Sequence, residues 1–273
     1  FPKYNPNPED MEMLHAMSHA VKEQGADIVL GFDGDGDRCG VVDDTGREIF
    51  ADKIGVMLAR GLSETHKNPQ FVVDVKSTGL YLTDPVLKAN GVKTDYWKTG
   101  HSYIKRRTAE LGALAGFEKS GHFFFNPPLG HGYDDGIVAG IQVLEMLDRA
   151  GGKKLSELYD ALPQSWGSPT MAPFCPDDRK YAVVDAMVRE YSDLAAKGET
   201  VLGQKIASVV TVNGVRVTLA DGTWGLVRAS SNKPSLVVVV ESPASEANMR
   251  AMFADIDARL GKHPEVGEYD QKI

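Results

Sequence analysis

Apolar residues near the start of the sequence recur at helical spacing, at Met11, Leu14, Met17 and Val21. Pro8 ahead of them and Gly25 behind them bound the predicted helix. The mainly apolar segment at residues 26–32 then predicts a buried strand. After a charged loop, residues 39–42 and 47–50 flank a turn-forming DDTG segment, and this pattern predicts a two-stranded hairpin.

Apolar and polar segments alternate regularly over the middle of the sequence. Helical periodicity is found at residues 52–65, 79–90, 102–111 and 137–150. Short segments between these helices predict strands at residues 71–75, 93–97, 113–118 and 122–125. This alternation predicts βαβ units, so the expected fold class of this part is α/β with a mixed βαβ sheet.

A different pattern begins after a proline-rich stretch. Residues 163–176 contain four prolines with glycine and serine, which favours a linker and a domain boundary there. Beyond this stretch, helices are predicted at residues 179–197 and 244–260. The strands predicted between them lie at residues 206–212, 215–219, 224–229 and 236–241. Strands clustered between two helices predict a C-terminal α+β domain with an antiparallel sheet.

The composition is that of a soluble globular protein: of 273 residues, 42% are hydrophobic and 25% are charged. No membrane span is predicted, because no run of about eighteen apolar residues is present, and the first residues are too polar for a signal peptide. The formal net charge of −8 argues against a general affinity for nucleic acid or anionic membranes. Cys39 and Cys175 form neither a disulfide framework nor a metal motif, which favours a cytoplasmic location. The sequence leaves the oligomeric state open.

The strongest chemical pattern is the DGDGDR loop at residues 33–38, directly after the first predicted strand. Its alternate aspartates, Asp33, Asp35 and Asp37, can converge on one divalent cation because the glycines let the backbone curl. Oxygen ligands suit Mg²⁺. A solvated acidic turn is the simpler alternative. A calcium loop of the EF-hand type is disfavoured, since Arg38 stands where that loop needs glycine, and strands rather than helices flank it.

This loop resembles that of the α-D-phosphohexomutases, and the resemblance covers nearly the whole chain, including the FPKYNPNP segment at residues 1–8. It implies that the three aspartates bind Mg²⁺ and that Arg38 is among the catalytic residues. It also implies three domain segments. These are the end of a second domain at residues 1–51, a third domain at residues 52–162, and a linker with a fourth, phosphate-binding domain at residues 163–273.

A second motif, EKSGH at residues 118–122, resembles the family's sugar loop, GExSGH. Glu118 and Ser120 stand two residues apart on an extended segment, so their side chains point the same way and can hold adjacent sugar hydroxyls. The resemblance implies that they bind O3 and O4 of the sugar, with His122 also in the binding site. Phe117 replaces the glycine that usually precedes this loop, and an ordinary turn is the alternative.

A third motif, RASSNKP at residues 228–234, follows a predicted strand and resembles the family's RxSNTxP phosphate loop. Arginine offers a rigid fork of donors, and the hydroxyls and backbone N–H groups of a tight loop can complete a phosphate cradle. The resemblance implies phosphate binding by Arg228, Ser230, Ser231 and Asn232. Ser231 and Asn232 replace the usual Asn and Thr, and a plain hairpin loop is the alternative.

Lys76 and His101 follow predicted strands at their carboxyl ends, where ligands gather in α/β sheets. The resemblance places both residues near the reacting sugar as catalytic residues. A lysine there can offset negative charge, and a histidine can carry a proton during phosphoryl transfer. Without the resemblance, a structural role would be the simpler interpretation.

The resemblance implies a reversible mutase that moves phosphate between O1 and O6 of a hexose phosphate, mannose or glucose, through a phosphoserine and a 1,6-bisphosphate. The family's phosphoserine lies in a TASHNP-like motif of a first domain, and no serine here has that setting. Ser18 precedes a histidine but lies on the predicted helix. We therefore expect the phosphoserine domain to be missing and this chain alone to be inactive. Phosphoglucosamine mutase and a non-catalytic metal- or sugar-phosphate-binding fragment are the alternatives.

Overall fold

The computed structural model describes residues 6–273, so residues 1–5 of the family-like segment at the start lie outside the described residues. The chain divides into two compact units, Phe1–Pro163 and Gln164–Ile273. Each unit has its own hydrophobic core. Among the helices within residues 6–273, none has the length and the apolar character needed to cross a membrane.

The first unit contains two sheets. Its elements in chain order are α1 (Met11–Gln24), β1 (Ile28–Phe32), β2 (Cys39–Asp43), β3 (Glu48–Ile49), α2 (Ala51–Thr65), β4 (Gln70–Asp74), α3 (Leu80–Thr83), α4 (Pro85–Ala89), β5 (Lys93–Trp97), α5 (His101–Glu110), β6 (Ala115–Phe117), β7 (Phe123–Phe125), α6 (Gly136–Arg149) and α7 (Leu155–Asp160). Strands β1, β2 and β3 pair antiparallel in that order. The second sheet has the order β5-β4-β6-β7, with β4 parallel to β5 and β6, and β7 antiparallel to β6. This topology confirms the predicted mixed βαβ sheet.

Helix α1 has the ends that its sequence predicts. Asp10 caps the helix by accepting a hydrogen bond from the N–H of Glu12, and Gly25 ends it in the left-handed region at φ 61°. Leu14 and Met17 are buried, as the periodicity predicted, whereas Met11 in the first turn is 37% exposed. The helix thereby covers one face of the three-stranded sheet.

The helix predicted over residues 79–90 is divided into α3 and α4. Asp84 caps α4 by accepting hydrogen bonds from two of its backbone N–H groups, and Pro85 follows as the first residue of α4. Proline has no N–H to donate to the preceding turn and clashes with it, so the helix breaks here. Arg60 on α2 donates to the buried Asp84 carboxylate from Nε at 2.9 Å, which fixes the break.

Aromatic side chains form the centre of the first core. Phe117 on β6 contacts the rings of Phe71, Phe123 and Phe125, with centroids 5.6 to 6.1 Å apart. Phe124 points to the opposite face of the sheet, where it packs in a separate cluster. Because successive side chains of β7 are buried on both faces, this sheet is an inner layer between helices.

The second unit is built on one antiparallel sheet. Its elements are β8 (Trp166–Gly167), α8 (Lys180–Ala196), β9 (Thr200–Val201), β10 (Gln204–Val210), β11 (Val215–Leu219), β12 (Trp224–Ala229), β13 (Leu236–Ser242) and α9 (Glu246–Leu260). The strand order is β8-β13-β12-β11-β10-β9, and every pairing is antiparallel. The predicted α+β domain with an antiparallel sheet is confirmed.

Part of the stretch predicted as a linker is paired with this sheet. Strand β8 forms its edge next to β13, and Met171 forms a further bridge with Val238. The proline-rich residues 163–176 therefore lie at the boundary between the two units, but part of this stretch is hydrogen-bonded to the sheet and is not a free linker. The division of the first unit at residue 51 stays a prediction.

Candidate active site

The loop with the three aspartates leaves the sheet at the end of β1. Asp33 follows directly, and its buried carboxylate accepts hydrogen bonds from the Arg38 backbone N–H at 3.1 Å and from the Arg38 guanidinium. Nη1 of Arg38 also donates to the side-chain oxygen of Asn7 at 2.7 Å. Arg38 thereby closes the loop on itself and fixes it to the segment before α1.

The three carboxylates converge. Asp33, Asp35 and Asp37 each offer an oxygen, and these oxygens lie within 4.8 Å of one another. Burial and the negative charges of Asp33 and Asp35 raise the pKa of Asp37 to about 6. Burial also favours protonation of Asp33, but hydrogen bonds from Arg38 outweigh this and hold its pKa below the ordinary value. Oxygens bound to an octahedral Mg²⁺ lie at most about 4.2 Å apart, so a small inward movement of these three side chains would let them hold the cation, which would also offset their mutual repulsion.

Two neighbouring segments hold the loop at residues 33–38, the aspartate loop, in place. The N–H of Gly136, at the start of α6, donates to the Gly36 carbonyl at 3.0 Å, and the N–H of Cys39 donates to the Gly121 carbonyl at 3.0 Å. Arg38 also forms an isolated antiparallel bridge with His122. The structure thus brings together the predicted metal loop and the predicted sugar loop.

Glu118 lies at the base of the sugar loop, just after β6, and is 1% exposed. Its carboxylate accepts hydrogen bonds from the N–H of Gly100 and from the Ser120 hydroxyl, the latter at 3.4 Å. Burial and the negative charge of Asp74 raise the pKa of Glu118 to about 8. Near pH 7 this carboxyl is therefore mostly protonated, and it can donate as well as accept a hydrogen bond.

His122 and His101 lie beside an aspartate that sequence reasoning did not select. Oδ2 of Asp134 lies 3.1 Å from Nδ1 of His122 and 3.4 Å from Nδ1 of His101, and the two rings stack with centroids 5.8 Å apart. Burial lowers the pKa of His122 to about 4, although the Asp134 carboxylate opposes this. Near pH 7 His122 is therefore neutral and can accept a proton. The sequence offered one indication of Asp134: two aspartates precede α6, and the helix needs only Asp135 as its N-terminal cap.

Lys76 lies in the turn after β4, and its side chain is 5% exposed. Nζ of Lys76 donates to Oε1 of Glu9 at 3.1 Å, and the positive charge of Lys76 lowers the pKa of Glu118, opposing the larger effects of burial and Asp74. Glu9 lies between Pro8 and Met11, where the sequence predicts the start of the first helix. The helix begins two residues later with Asp10 as its cap, and no local pattern indicated the pairing of Glu9 with Lys76.

The predicted phosphate loop belongs to the second unit and joins β12 to β13. Arg228 is 7% exposed, and its Nη1 donates to a neighbouring backbone carbonyl at 2.9 Å. The Ser230 hydroxyl accepts hydrogen bonds from the N–H groups of Asn232 at 3.4 Å and Lys233 at 3.2 Å. Ser231 and Asn232 are exposed. The loop is a tight turn with donors at its surface, and its binding of phosphate stays a prediction.

Replacing Gly136 with alanine is expected to disturb the aspartate loop. A Cβ at this position would lie 2.7 Å from the carbonyl oxygens of Gly36 and Arg38, so the loop would have to move. We expect a loss of about 2 kcal/mol in the free energy of unfolding, together with weaker Mg²⁺ binding. Urea unfolding and calorimetric Mg²⁺ titration measure the two effects.

Gly61 on α2 provides the matched control for this substitution. The nearest atom to a Cβ at Gly61 is 4.0 Å away, on Met146. Alanine is favoured over glycine inside a helix by about 1 kcal/mol, so Gly61→Ala is expected to stabilise slightly and to leave Mg²⁺ binding unchanged. Equal effects of the two substitutions would contradict the contact assigned to Gly136.

The pKa of Asp37 predicts that Mg²⁺ binding depends on pH. Metal ligands must be deprotonated, so below pH 6 a proton must leave Asp37 before the cation binds. We expect affinity to be nearly constant from pH 7 to 8 and to be about tenfold weaker at pH 5 than at pH 7. Calorimetric titrations at these pH values test this, and an affinity that does not change between pH 5 and 7 would show that Asp37 is not a ligand.

Domain models of one protein family match this sequence. The phosphoglucomutase/phosphomannomutase α/β/α domain II matches residues 1–46, the α/β/α domain III matches residues 50–166, and the C-terminal domain matches residues 175–259. Among curated proteins, a phosphomannomutase/phosphoglucomutase of Pseudomonas putida is 37% identical over 242 residues, which are 89% of this chain and 49% of that protein. A phosphoglucomutase of Neisseria gonorrhoeae is 36% identical over 248 residues, 90% of this chain and 50% of that protein.

Solved structures show the same likeness. A phosphoglucomutase/phosphomannomutase family protein from Burkholderia thailandensis matches with a TM-score of 0.81 and 30% identity, over 97% of this chain and 53% of that one. An N-acetylphosphoglucosamine mutase from Aspergillus fumigatus, crystallised with GlcNAc-6P and magnesium, is similar in fold alone, at a TM-score of 0.57 and 13% identity over 89% of this chain and 52% of that one. The chain spans about half the length of the curated relatives that it matches.

Proposed function

Since this chain belongs to the phosphoglucomutase/phosphomannomutase family, the α-D-phosphohexomutases, we propose that it supplies the metal, sugar and phosphate loops of a reversible hexose-phosphate mutase. The family membership confirms the resemblance predicted from the three motifs. The activity of the whole protein is our proposal, because the relatives that carry these names are about twice as long.

The proposed reaction moves a phosphoryl group between O1 and O6 of mannose or glucose phosphate. In the proposed scheme, a phosphoserine supplied by a domain outside these residues would donate its phosphoryl group to the free hydroxyl of the sugar. The resulting 1,6-bisphosphate is bound in the opposite orientation, and its other phosphoryl group returns to the serine. The hydroxyl that attacks loses a proton, and the serine oxygen that leaves stays negatively charged or takes one up.

The residues of the first unit have distinct proposed roles. Asp33, Asp35 and Asp37 would hold Mg²⁺, which neutralises negative charge on the transferring phosphoryl group. Glu118 and Ser120 would hold adjacent hydroxyls of the sugar, and the hydrogen bond between their side chains at 3.4 Å supports this role because it places the two groups side by side.

Cationic and proton-carrying groups complete the proposed site. Lys76 and Arg38 offer positive charge near the sugar and metal loops, which would stabilise the phosphoryl group in the transition state. His122 is neutral near pH 7 and would accept the proton of the attacking hydroxyl, while the nearby Asp134 carboxylate would stabilise the positive charge that forms on its ring. His101 stacks on His122 and would take part in the same proton transfer.

The second unit would bind the phosphate that does not react. Arg228 near the end of β12, with Ser230, Ser231 and Asn232 in the turn that follows, would supply guanidinium, hydroxyl and amide donors. If the phosphate that is not transferred is bound in this way, either end of the sugar can be placed at the site of phosphoryl transfer.

One observation supports this function most strongly. The aspartate loop and the sugar loop are hydrogen-bonded to each other, through the N–H of Cys39 and the carbonyl of Gly121 at 3.0 Å. The three aspartates repel one another, and the carboxyl of Glu118 and the imidazole of His122 are both buried. In the absence of a ligand, the repulsion and the burial each lower the stability of the fold, so these groups are better explained by binding than by a structural role.

The proposal is tested by joining this chain to the part of a relative that it does not match. A chimaera that joins the N-terminal half of the Pseudomonas putida relative to this chain should convert mannose or glucose 1-phosphate to the 6-phosphate in a Mg²⁺-dependent manner. The isolated chain should bind Mg²⁺ but show no turnover. A folded chimaera that binds Mg²⁺ and hexose 6-phosphate but transfers no phosphate would instead support a non-catalytic binding module.

A further inference from the structure

A second group of possible metal ligands lies beside the aspartate loop. It consists of Asp37, His122 and Asp134, whose ligand atoms lie within 4.8 Å of one another. Nδ1 of His122 is 3.1 Å from Oδ2 of Asp134 and 3.8 Å from Oδ1 of Asp37. The group differs from the aspartate loop in containing an imidazole nitrogen, and it shares with it only Asp37.

Two atoms of this group are buried without a hydrogen-bond partner. The side chain of Asp134 is 7% exposed, and neither its Oδ2 nor Nδ1 of His122 forms a hydrogen bond. The other oxygen of Asp134 accepts from Nζ of Lys105 at 3.1 Å, which leaves Oδ2 directed at the histidine. Buried polar atoms without partners cost free energy, and a cation between them would remove that cost for both.

From this geometry, we propose that Asp37, His122 and Asp134 form a second cation site that takes Zn²⁺ or a similar borderline transition metal. Zinc binds nitrogen and oxygen ligands at about 2.0 to 2.1 Å in a tetrahedron, which separates the ligand atoms by about 3.3 Å. The distances of 3.1 and 3.8 Å bracket this value. Nδ1 of His101, 3.4 Å from Oδ2 of Asp134, lies close enough to supply a fourth ligand.

The ligand set also distinguishes this site from the aspartate loop. Imidazole nitrogen favours zinc, copper and nickel, whereas an all-oxygen site suits Mg²⁺. Because Asp37 belongs to both groups, Zn²⁺ at the second site would draw Asp37 away from the aspartate loop and would occupy the nitrogen of His122. The binding itself does not rest on the proposed mutase function, so it is measured directly on this chain.

Calorimetric titration of the chain with Zn²⁺ tests the site. We expect His122→Asn and Asp134→Asn each to weaken one Zn²⁺ binding event by about 100-fold, because each removes a ligand. Two matched controls should retain that event. His131→Asn removes an exposed histidine that stacks on Tyr133, with ring centroids 5.9 Å apart, and Asp35→Asn removes a ligand of the aspartate loop but none of the three ligands of the second site.

A Zn²⁺ affinity that is lost in Asp35→Asn but kept in His122→Asn would overturn the proposal, because the zinc would then lie in the aspartate loop. Unchanged binding in both His122→Asn and Asp134→Asn would also overturn it. Circular dichroism identifies any variant that fails to fold. In that event the unmodified chain decides the matter: Zn²⁺ should shift the side-chain nitrogen NMR signals of His122 and leave those of His131 in place, and no shift at His122 would overturn the proposal.

Discussion

Replacing Asp37 with asparagine is expected to weaken Mg²⁺ binding by about 100-fold, equivalent to about 2.7 kcal/mol, while making the metal-free chain more stable. The carboxylate is lost as a ligand, but so is a negative charge that burial, Asp33 and Asp35 all disfavour. A folded-state pKa raised from 3.8 to about 6 means that ionised Asp37 costs stability above pH 6, and that this cost disappears as the pH falls towards 4. Asparagine removes that cost at neutral pH.

The two effects of this substitution have opposite signs, which separates a binding role from a structural one. Calorimetric Mg²⁺ titration and urea unfolding at pH 7 without metal measure them. Asp27→Asn is the control, because Asp27 is exposed and precedes β1, whereas the aspartate loop follows β1. A loss of stability in metal-free Asp37→Asn, with Mg²⁺ affinity retained, would mean that Asp37 supports the fold and does not bind the cation.

The elements with strong local signals were predicted correctly. Helix α1 begins at an aspartate cap and ends at a glycine, and the spacing of Leu14 and Met17 correctly predicted which face is buried. The aromatic run on β7 was correctly predicted as a strand. The division into α3 and α4 was missed, although Pro85 marks it, because hydrophobic periodicity alone continues through the break. The pairing of β8 was missed because proline-rich composition carries no information about distant partners.

The candidate site was predictable only as separate loops. The aspartate loop and the sugar loop are each visible in sequence, but their hydrogen bond through Cys39 and Gly121 depends on the tertiary fold. Asp134 and Glu9 were missed for the same reason, since each lies far in sequence from the histidine or lysine beside it. Sequence spacing identifies residues that act within one turn, whereas residues contributed by another element become visible only in three dimensions.

Replacing Glu118 with glutamine is expected to lower hexose-phosphate turnover by about 100-fold in the active chimaera and to leave Mg²⁺ binding unchanged. Glutamine keeps the shape and the neutral charge of the protonated side chain, but it has no proton to lose, so it cannot become the carboxylate that accepts hydrogen bonds from two sugar hydroxyls when the sugar binds. Glu118 contacts Gly100 and Ser120 and makes no hydrogen bond to the aspartate loop among those described. A parallel loss of Mg²⁺ affinity would therefore contradict a role confined to the sugar.

The same substitution has a pH signature that needs no substrate. Below about pH 4.5 the carboxyl is protonated in both folded and unfolded chains; between pH 4.5 and about 8 only the unfolded chain ionises, so stability falls as the pH rises. Glu118→Gln removes this effect and should gain up to about 4 kcal/mol relative to the unmodified chain between pH 5 and pH 9. Urea unfolding at both pH values measures it, with Glu64→Gln as the exposed control on α2. Equal pH dependence of the two variants would show that Glu118 ionises normally in the folded chain, and the buried, protonated carboxyl assigned to the sugar loop would be wrong.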